Sequence, residues 1–288
     1  MPTPPQPGGQ PARARGAGAA RNRKRSWYAD LGEELEFLAA AFTDFRYPKH
    51  LHETFAIGII EAGGQRFATR AGQTVMPRRT LCVVNPGLVH WGRSADESGW
   101  RYRMIYPSVD LVARALDVSS RVAHRVGFEG HVIDDPGLYR LFSILHREAA
   151  STNGHELEEA QLFGFLRTLF VRHSGTTLSS PASSPRGAHR VREFLHEHWD
   201  ERVSIARLAT IAEVSETHVI RSFTRTFGMS PRAYQSALRI ERSKADLIAG
   251  QAIAMVAARV GFYDQSHFHR HFVKIVGCTP GEFVKGTA

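Results

Sequence analysis

The chain has 288 residues, of which 42% are hydrophobic and 23% charged, and carries a formal net charge of +9. That length supports two domains with real cores, and no window approaches the length of a membrane span, which leaves a membrane out of the expected partners. Two cysteines, Cys82 and Cys278, make no disulfide framework, and with no signal-peptide core the chain is expected in the cytoplasm. The positive charge is uneven. Residues 1–25 hold six basic groups (Arg13, Arg15, Arg21, Arg23, Lys24, Arg25) and no acid. They are rich in Pro, Gly and Ala with almost nothing to bury, so a disordered basic tail is expected, one able to add nonspecific attraction to phosphate.

Residues 26–108 read as short strands with Gly and Pro between them. Residues 54–61 are rich in β-branched and aromatic side chains, Gly63-Gly64 is expected to turn the chain, and residues 65–70 to form the return strand. Residues 81–84 form a short apolar strand that ends at Asn85-Pro86-Gly87. Along residues 100–106 the pattern alternates. Trp100, Tyr102, Met104 and Tyr106 take one face, and Arg101, Arg103 and Ile105 the other. Several short strands at this spacing predict a small barrel or sandwich.

Residues 109–172 read as helical. Leu111, Ala115 and Leu116 begin the segment, and Leu138, Leu141, Phe142, Leu145 and Ala149 recur at helical spacing after Asp134-Asp135-Pro136. A further helix carries Leu157, Leu162, Phe165, Leu166, Leu169 and Phe170. Residues 173–187, rich in Ser, Thr, Pro and Gly, are expected to be a flexible linker.

The last domain, residues 188–288, contains a repeat. The run HVIRSFTRTFGMSPRAY from His218 returns as HFHRHFVKIVGCTPGEF from His267, at an offset of 49 residues without a gap. Such a period marks a duplicated supersecondary unit. In the first copy Val219, Phe223 and Phe227 share a helical face, Gly228 can close the helix in the left-handed conformation, and Ser230-Pro231 starts the next. The second copy repeats this with Gly277 and Thr279-Pro280-Gly281-Glu282, where Thr and Glu stand at capping-box spacing. A shorter apolar helix precedes each: Ile205, Leu208, Ala209 and Ile211, then Ile253, Val256, Ala257 and Val260. Short helix, tight turn and polar second helix is helix-turn-helix grammar, in which the second helix enters the major groove of DNA. From Arg232 to Ile248 no residue breaks a helix. A rod of that length, roughly 25 Å, would set the two second helices about one DNA turn apart, ~34 Å.

These residues resemble the AraC/XylS family of bacterial transcription regulators. The resemblance is carried by Ala209, Ser215, Arg221, the runs FGMSPRAY and RIERSK, and GFYDQSHFHRHF into GCTPGEF. It implies that Thr217, Ile220 and Arg221, with Arg225 beside them, and Gln265, Ser266, His269 and Arg270 face DNA. The chemistry agrees: Arg pairs with guanine, Gln with adenine, and Thr or Ile methyls with the thymine methyl. Two departures stand out. Glu213 occupies a turn position where many relatives have Gly, which is expected to strain the turn. Tyr263 stands where relatives often have Ser, which is expected to weaken a helix cap.

The N-terminal half is similar to the cupin-like sensor domain of that family, through His50-Leu51-His52-Glu53, Ile57-Gly58-Ile59, Asn85 to His90, and Gly99 to Met104. The fold expected is therefore α+β and multidomain: a cupin-like β-barrel with a helical packing or dimerisation segment, then an all-α domain with two helix-turn-helix units. The resemblance implies a small-molecule effector in the barrel, and by position its contacts are Arg46, His50, His52, His90, Trp91, Tyr102 and Met104. It also implies an activator of transcription, RNA polymerase as a partner and a possible homodimer. The alternative is a cupin-type metal-dependent enzyme, or a ligand-binding scaffold, tethered to DNA. His50, His52 and His90 are three possible ligands. Strand alternation, however, turns Glu53 away from them and no carboxylate stands in register, so no catalytic residue, metal or cofactor is assigned.

Overall fold

The computed structural model describes residues 22–175 and 186–285. The N-terminal half is built on strands β1 (Arg23–Asp30), β2 (Glu34–Phe42), β3 (Arg46–His50), β4 (Ala56–Thr69), β5 (Gly72–Pro77), β6 (Leu81–Val84), β7 (His90–Ser94), β8 (Trp100–Tyr106) and β9 (Val132–Ile133). One antiparallel sheet runs β1-β2-β8-β4-β6-β9; the far end of β4 pairs with β5 and β7, and β7 with β3. Between the two sheets lie Leu38, Phe42, Phe67, Met76, Cys82, Trp100, Tyr102 and Met104 in one apolar cluster. The alternation read along residues 100–106 holds, since Ile105 packs on the opposite face with Phe37, Ile57 and Ile59.

That opposite face is covered by helices α1 (Val109–Leu116), α2 (Ser120–Ala123), α3 (Pro136–Ser151) and α4 (Glu159–His173). Phe142 and Leu145 of α3 and Phe165, Leu166, Leu169 and Phe170 of α4 are fully buried there. A sheet buried on both faces explains why β2 and β4 carry near-continuous apolar runs. Leu141, placed in the α3 stripe by spacing, is 40% exposed.

Three boundaries differ from the sequence reading. First, Gly63-Gly64 does not turn the chain back. The 14-residue β4 runs straight through it and passes from one sheet to the other. Gly63 has φ +66, and a Cβ there would meet the Gly99 carbonyl oxygen. The glycine serves a strand corner, where backbone approaches backbone, and the hairpin comes later, between β4 and β5. Second, β1 begins at Arg23, inside the expected tail of residues 1–25, because Arg23, Lys24 and Arg25 pair with Ala41, Ala40 and Ala39 of β2. Residues 1–21 of that tail, and residues 176–185 of the expected linker, lie outside the described residues. Third, Val132–Ile133, within the segment read as helical, forms β9 against β6.

The C-terminal half is all helix: α5 (Arg186–Glu197), α6 (Ile205–Ala212), α7 (Glu216–Phe227), α8 (Pro231–Ile248), α9 (Ile253–Arg259), α10 (Gln265–Val276) and α11 (Pro280–Lys285). Local chemistry sets the ends. Ser204, Ser215, Ser230 and Asp264 each accept the backbone N–H three residues on. Gly228 and Gly277 close α7 and α10 with φ of +81 and +87. Thr279 and Glu282 form the reciprocal capping box at α11. Two turn details follow from the departures noted above. Glu213 takes φ +57, so the first turn does require a left-handed residue, here without glycine. Tyr263 does not cap α10; Asp264 does, and Tyr263 is 82% exposed. Helix α8 is the central rod, with Tyr234, Leu238, Ile240 and Leu247 fully buried. Its 18 residues span about 27 Å.

Candidate functional site

The polar face of each repeated helix is open. Val219 and Phe223 anchor α7, and Phe268 and Phe272 anchor α10, all fully buried. Thr217, Ile220, Arg221 and Arg225 on α7, and Gln265, Ser266, His269 and Arg270 on α10, are all exposed. Ile220 at 39% exposure is an apolar side chain that folding leaves in water. The two faces offer guanidinium, amide and methyl groups, which suit base edges in a major groove.

The second site is a cavity at the seam between the halves. The barrel contributes His50, His52, His90, Tyr102, Tyr106 and Met104, while α8 contributes Glu241 and Lys244, and α10 contributes Ile275 and Val276. Space for the centres of water molecules inside it is about 70 Å³. Of the seven residues implied as effector contacts, five line it. Arg46 is exposed at the outer end of β3 and pairs with Arg93, and Trp91 lies between the inward His90 and Gly92 with Lys49 over its ring. Strand alternation turns both away from the cavity.

Within the cavity the rings of His50 and His90 are 4.2 Å apart, and His52 is 5.1 Å and 5.4 Å from them. Burial, then the neighbouring histidines, holds His50 well below its ordinary pKa. Burial first, and then His52, brings His90 down to about 3. Both are therefore neutral at pH 7. Tyr47 and Tyr102 share a hydroxyl–hydroxyl bond of 2.7 Å, and burial raises both phenols above their usual range.

Sequence reasoning missed the charged lining. Lys24, Glu36, Glu241 and Lys244 meet here from three separate elements. Lys244 Nζ lies 3.0 Å from Glu241 and 3.6 Å from Glu36. Burial alone would raise the Glu241 carboxyl, but Lys244 and His52 beside it hold it well below the carboxylate range. Burial would likewise lower Lys244, and the two carboxylates more than reverse that. Burial lowers Lys24. RIERSK, which contains Glu241 and Lys244, gave no sign from spacing that it would face a barrel.

Further contacts join the halves around the cavity. Arg242 donates to both oxygens of Glu53, at 2.8 and 2.7 Å. Leu51 and Val89 of the barrel enter the apolar cluster of Val191, Phe223, Tyr234 and Leu238. Both repeated helices are held at their carboxyl ends by barrel cations. Lys49 donates to Gly228 O, Arg70 to Thr226 O at 3.4 Å, and Lys24 to Val276 O at 2.9 Å. A cation there also complements the helix dipole.

Two helix-turn-helix units on one all-α domain, closed against a sheet-rich domain with a cavity, define a DNA-binding regulator with a ligand-binding barrel. Residues 34–166 match the model of the AraC-like ligand binding domain, and residues 208–286 that of a helix-turn-helix domain. The chain is 30% identical over 224 residues to YbfI, an uncharacterized HTH-type transcriptional regulator of Bacillus subtilis (strain 168), covering 77% of this chain and 81% of that protein. It is 26% identical over 240 residues to the arabinose operon regulatory protein of Salmonella typhimurium, covering 80% of each. The crystal structure of ToxT from Vibrio cholerae O395 superposes with a TM-score of 0.56 at 11% identity, over 93% of this chain and 98% of that one. The chain belongs to the AraC/XylS family of transcriptional regulators.

Proposed function

We propose that this regulator reads two successive major grooves of its operator with α7 and α10, and that an effector in the seam cavity sets how firmly the two halves close on each other. The observation that carries this reading is the placement of the cavity. Its walls come from the barrel and from α8 and α10 together, so a ligand there touches both domains at once. A ligand shifts such an equilibrium only through different affinity for the two states, and a cavity walled by both halves supplies that difference directly. On this reading Thr217, Ile220, Arg221, Gln265, Ser266, His269 and Arg270 contact bases and Arg225 phosphate. His50, His52, His90, Tyr102 and Met104 contact the effector, joined by Glu241 and Lys244.

The regulator acts in the cytoplasm without catalysis, as an activator that contacts RNA polymerase. Leu141 and Ile144 on α3 and Val171 on α4 are exposed at 40%, 45% and 76%, which supports a helical contact between two copies of the chain. The test is selection of bound DNA from a random pool with the full chain. Two conserved blocks about 10 base pairs apart are expected. A single block would mean that only one unit reads bases, and no enrichment would sink the reading.

A further inference from the structure

Three imidazoles converge where the DNA-binding half closes the barrel. His50 and His90 face each other across the β3–β7 pairing, and one ring nitrogen from each of His50, His52 and His90 falls within 4.8 Å of the other two. Among the described residues this is the one cluster of three or more His, Cys, Asp or Glu with such convergence. A tetrahedral metal bound at about 2.0–2.1 Å sets its nitrogen ligands roughly 3.4 Å apart, so side-chain rotations that move each ring by about an ångström complete the site.

The hydrogen bonds behind the rings decide which nitrogen is available. His50 Nδ1 lies 2.8 Å from Pro48 O, and His90 Nδ1 lies 2.9 Å from Leu88 O. A carbonyl oxygen only accepts, so each Nδ1 carries the proton and the lone pair of the neutral ring sits on Nε2. His52 Nδ1 lies 3.3 Å from Glu241 Oε1, and an ionised carboxylate imposes the same tautomer. All three rings thus present Nε2 with an acceptor fixed behind Nδ1, the arrangement by which outer-shell groups orient metal-bound histidines and raise their basicity.

We propose that the barrel of this regulator binds a divalent transition metal through Nε2 of His50, His52 and His90, and that Glu241, from the DNA-binding half, is the carboxylate that orients His52 toward it. Three imidazoles suit zinc and its neighbours, not magnesium or calcium. They leave a coordination position for water or for an oxygen of an organic effector. The carboxylate in register that the barrel sequence lacks is supplied by α8, behind the ligand instead of on the metal. Loading the metal strengthens the His52–Glu241 bond, because a metal-bound ring is a better N–H donor. Since Glu241 also holds Lys244, and Lys244 reaches Glu36 on β2, the metal draws α8 onto the barrel. This inference rests on the seam cavity being the sensing site.

The test uses the full chain, stripped with chelator and titrated with Zn(II) against a chromogenic competitor, with Co(II) as the spectroscopic probe. One zinc per chain is expected, together with the visible absorption of tetrahedral Co(II). His52→Ala and the near-isosteric His90→Gln should each weaken zinc by 100-fold or more. Glu241→Gln should keep one zinc per chain and weaken it 10- to 100-fold. Zinc that binds no more tightly to the native chain than to His90→Gln would overturn the site, and so would zinc retained by the double variant His52→Ala/His90→Gln. A native zinc affinity in Glu241→Gln would overturn the role of the α8 carboxylate. Operator affinity, measured with and without zinc on the selected DNA, separates this inference from the sensing reading. Metal bound with unchanged operator affinity confirms the site and refutes the coupling. Absent metal with an organic ligand that still shifts operator affinity refutes the site and leaves the sensing cavity standing.

Discussion

The contact between Glu53 and Arg242 is expected to be the strongest single polar bond between the halves. Arg242 places two parallel N–H groups on the carboxylate, and both side chains retain 29% exposure. His196 adds a third contact to the same carboxylate at 3.2 Å. Fully exposed pairs contribute about 0–1 kcal/mol, and breaking a buried pair costs about 3–5 kcal/mol. Bidentate geometry raises this pair above the first class, and residual solvent keeps it below the second. A coupling of about 1–2 kcal/mol follows, a factor of roughly 5–30 in an equilibrium. The assay is a double-mutant cycle in urea with Glu53→Gln, Arg242→Met and the double variant. The cycle matters because Arg242 also donates to His196 O and stacks over Trp199, losses common to both arms that cancel. A coupling below about 0.3 kcal/mol would refute the idea that this bond holds the halves together.

Three further outcomes are expected. Arg270→Ala should cost roughly 1–3 kcal/mol of operator affinity and relax preference at one base pair; an equal loss on every sequence would mark a phosphate contact, as is expected instead for Arg225→Ala. Glu213→Gly should leave stability unchanged or raise it by up to about 1 kcal/mol. Relief of the left-handed backbone outweighs the exposed Arg190 pair and the added freedom of the unfolded chain, and a loss above 1 kcal/mol in thermal melts would contradict this. His146 gives a pH dependence. It accepts from Arg103 and lies 3.1 Å from Leu38 O, and burial first, then Arg103, brings its pKa to about 3. Arg103 is itself paired with Glu61. Because the folded value is depressed, the stabilisation is complete above the unfolded value near 6.5 and is lost as pH falls toward 3, by about 2 kcal/mol at pH 5. A His146→Gln variant should show a shallower fall over that range; an identical slope would remove His146 as the cause.

What the sequence disclosed and what it concealed divide along the range of the interactions. The caps at Ser230 and Thr279, the left-handed glycines at 228 and 277, and the core positions of α7 and α10 depend on neighbours within one or two turns, so the 49-residue repeat displayed them. The exposed faces followed, since fixing Phe223 and Phe272 inward fixes Arg221 and Arg270 outward. Gly63-Gly64 misled because a glycine pair serves a turn or a close approach equally well. The deciding atom, the Gly99 carbonyl, is 36 residues away along the chain. The cavity was half legible. His50, His52 and His90 announce themselves by spacing and strand direction, whereas Glu241 meets His52 across 189 residues. Lys24 looked like part of a basic tail until its strand paired with β2 and carried it under α10.

On the proposed reading, the seam is also the route by which a small cavity acts on α7 and α10 together. The cations Lys49, Arg70 and Lys24 sit on the terminal carbonyls of α7 and α10, and contacts of this kind contribute about 0.3–1 kcal/mol each. Together with the Glu53–Arg242 pair and the apolar packing of Leu51 and Val89 against the helices, they hold the two halves closed. A switch from almost fully closed to almost fully open requires about 5.5 kcal/mol of differential affinity, a size that one ligand contacting both walls can supply. Because the barrel grips α7 and α10 at their carboxyl ends, the proposed reading has any change in closure reach the two together, while the exposed side chains earlier in each helix stay unobstructed. Weakening one clamp alone, with Lys49→Gln on α7 or Lys24→Gln on α10, should therefore change operator affinity in the same direction and preserve the distance between the two DNA blocks. A variant that altered the block spacing would show instead that the two units move independently, and the barrel would then act on each through a separate path.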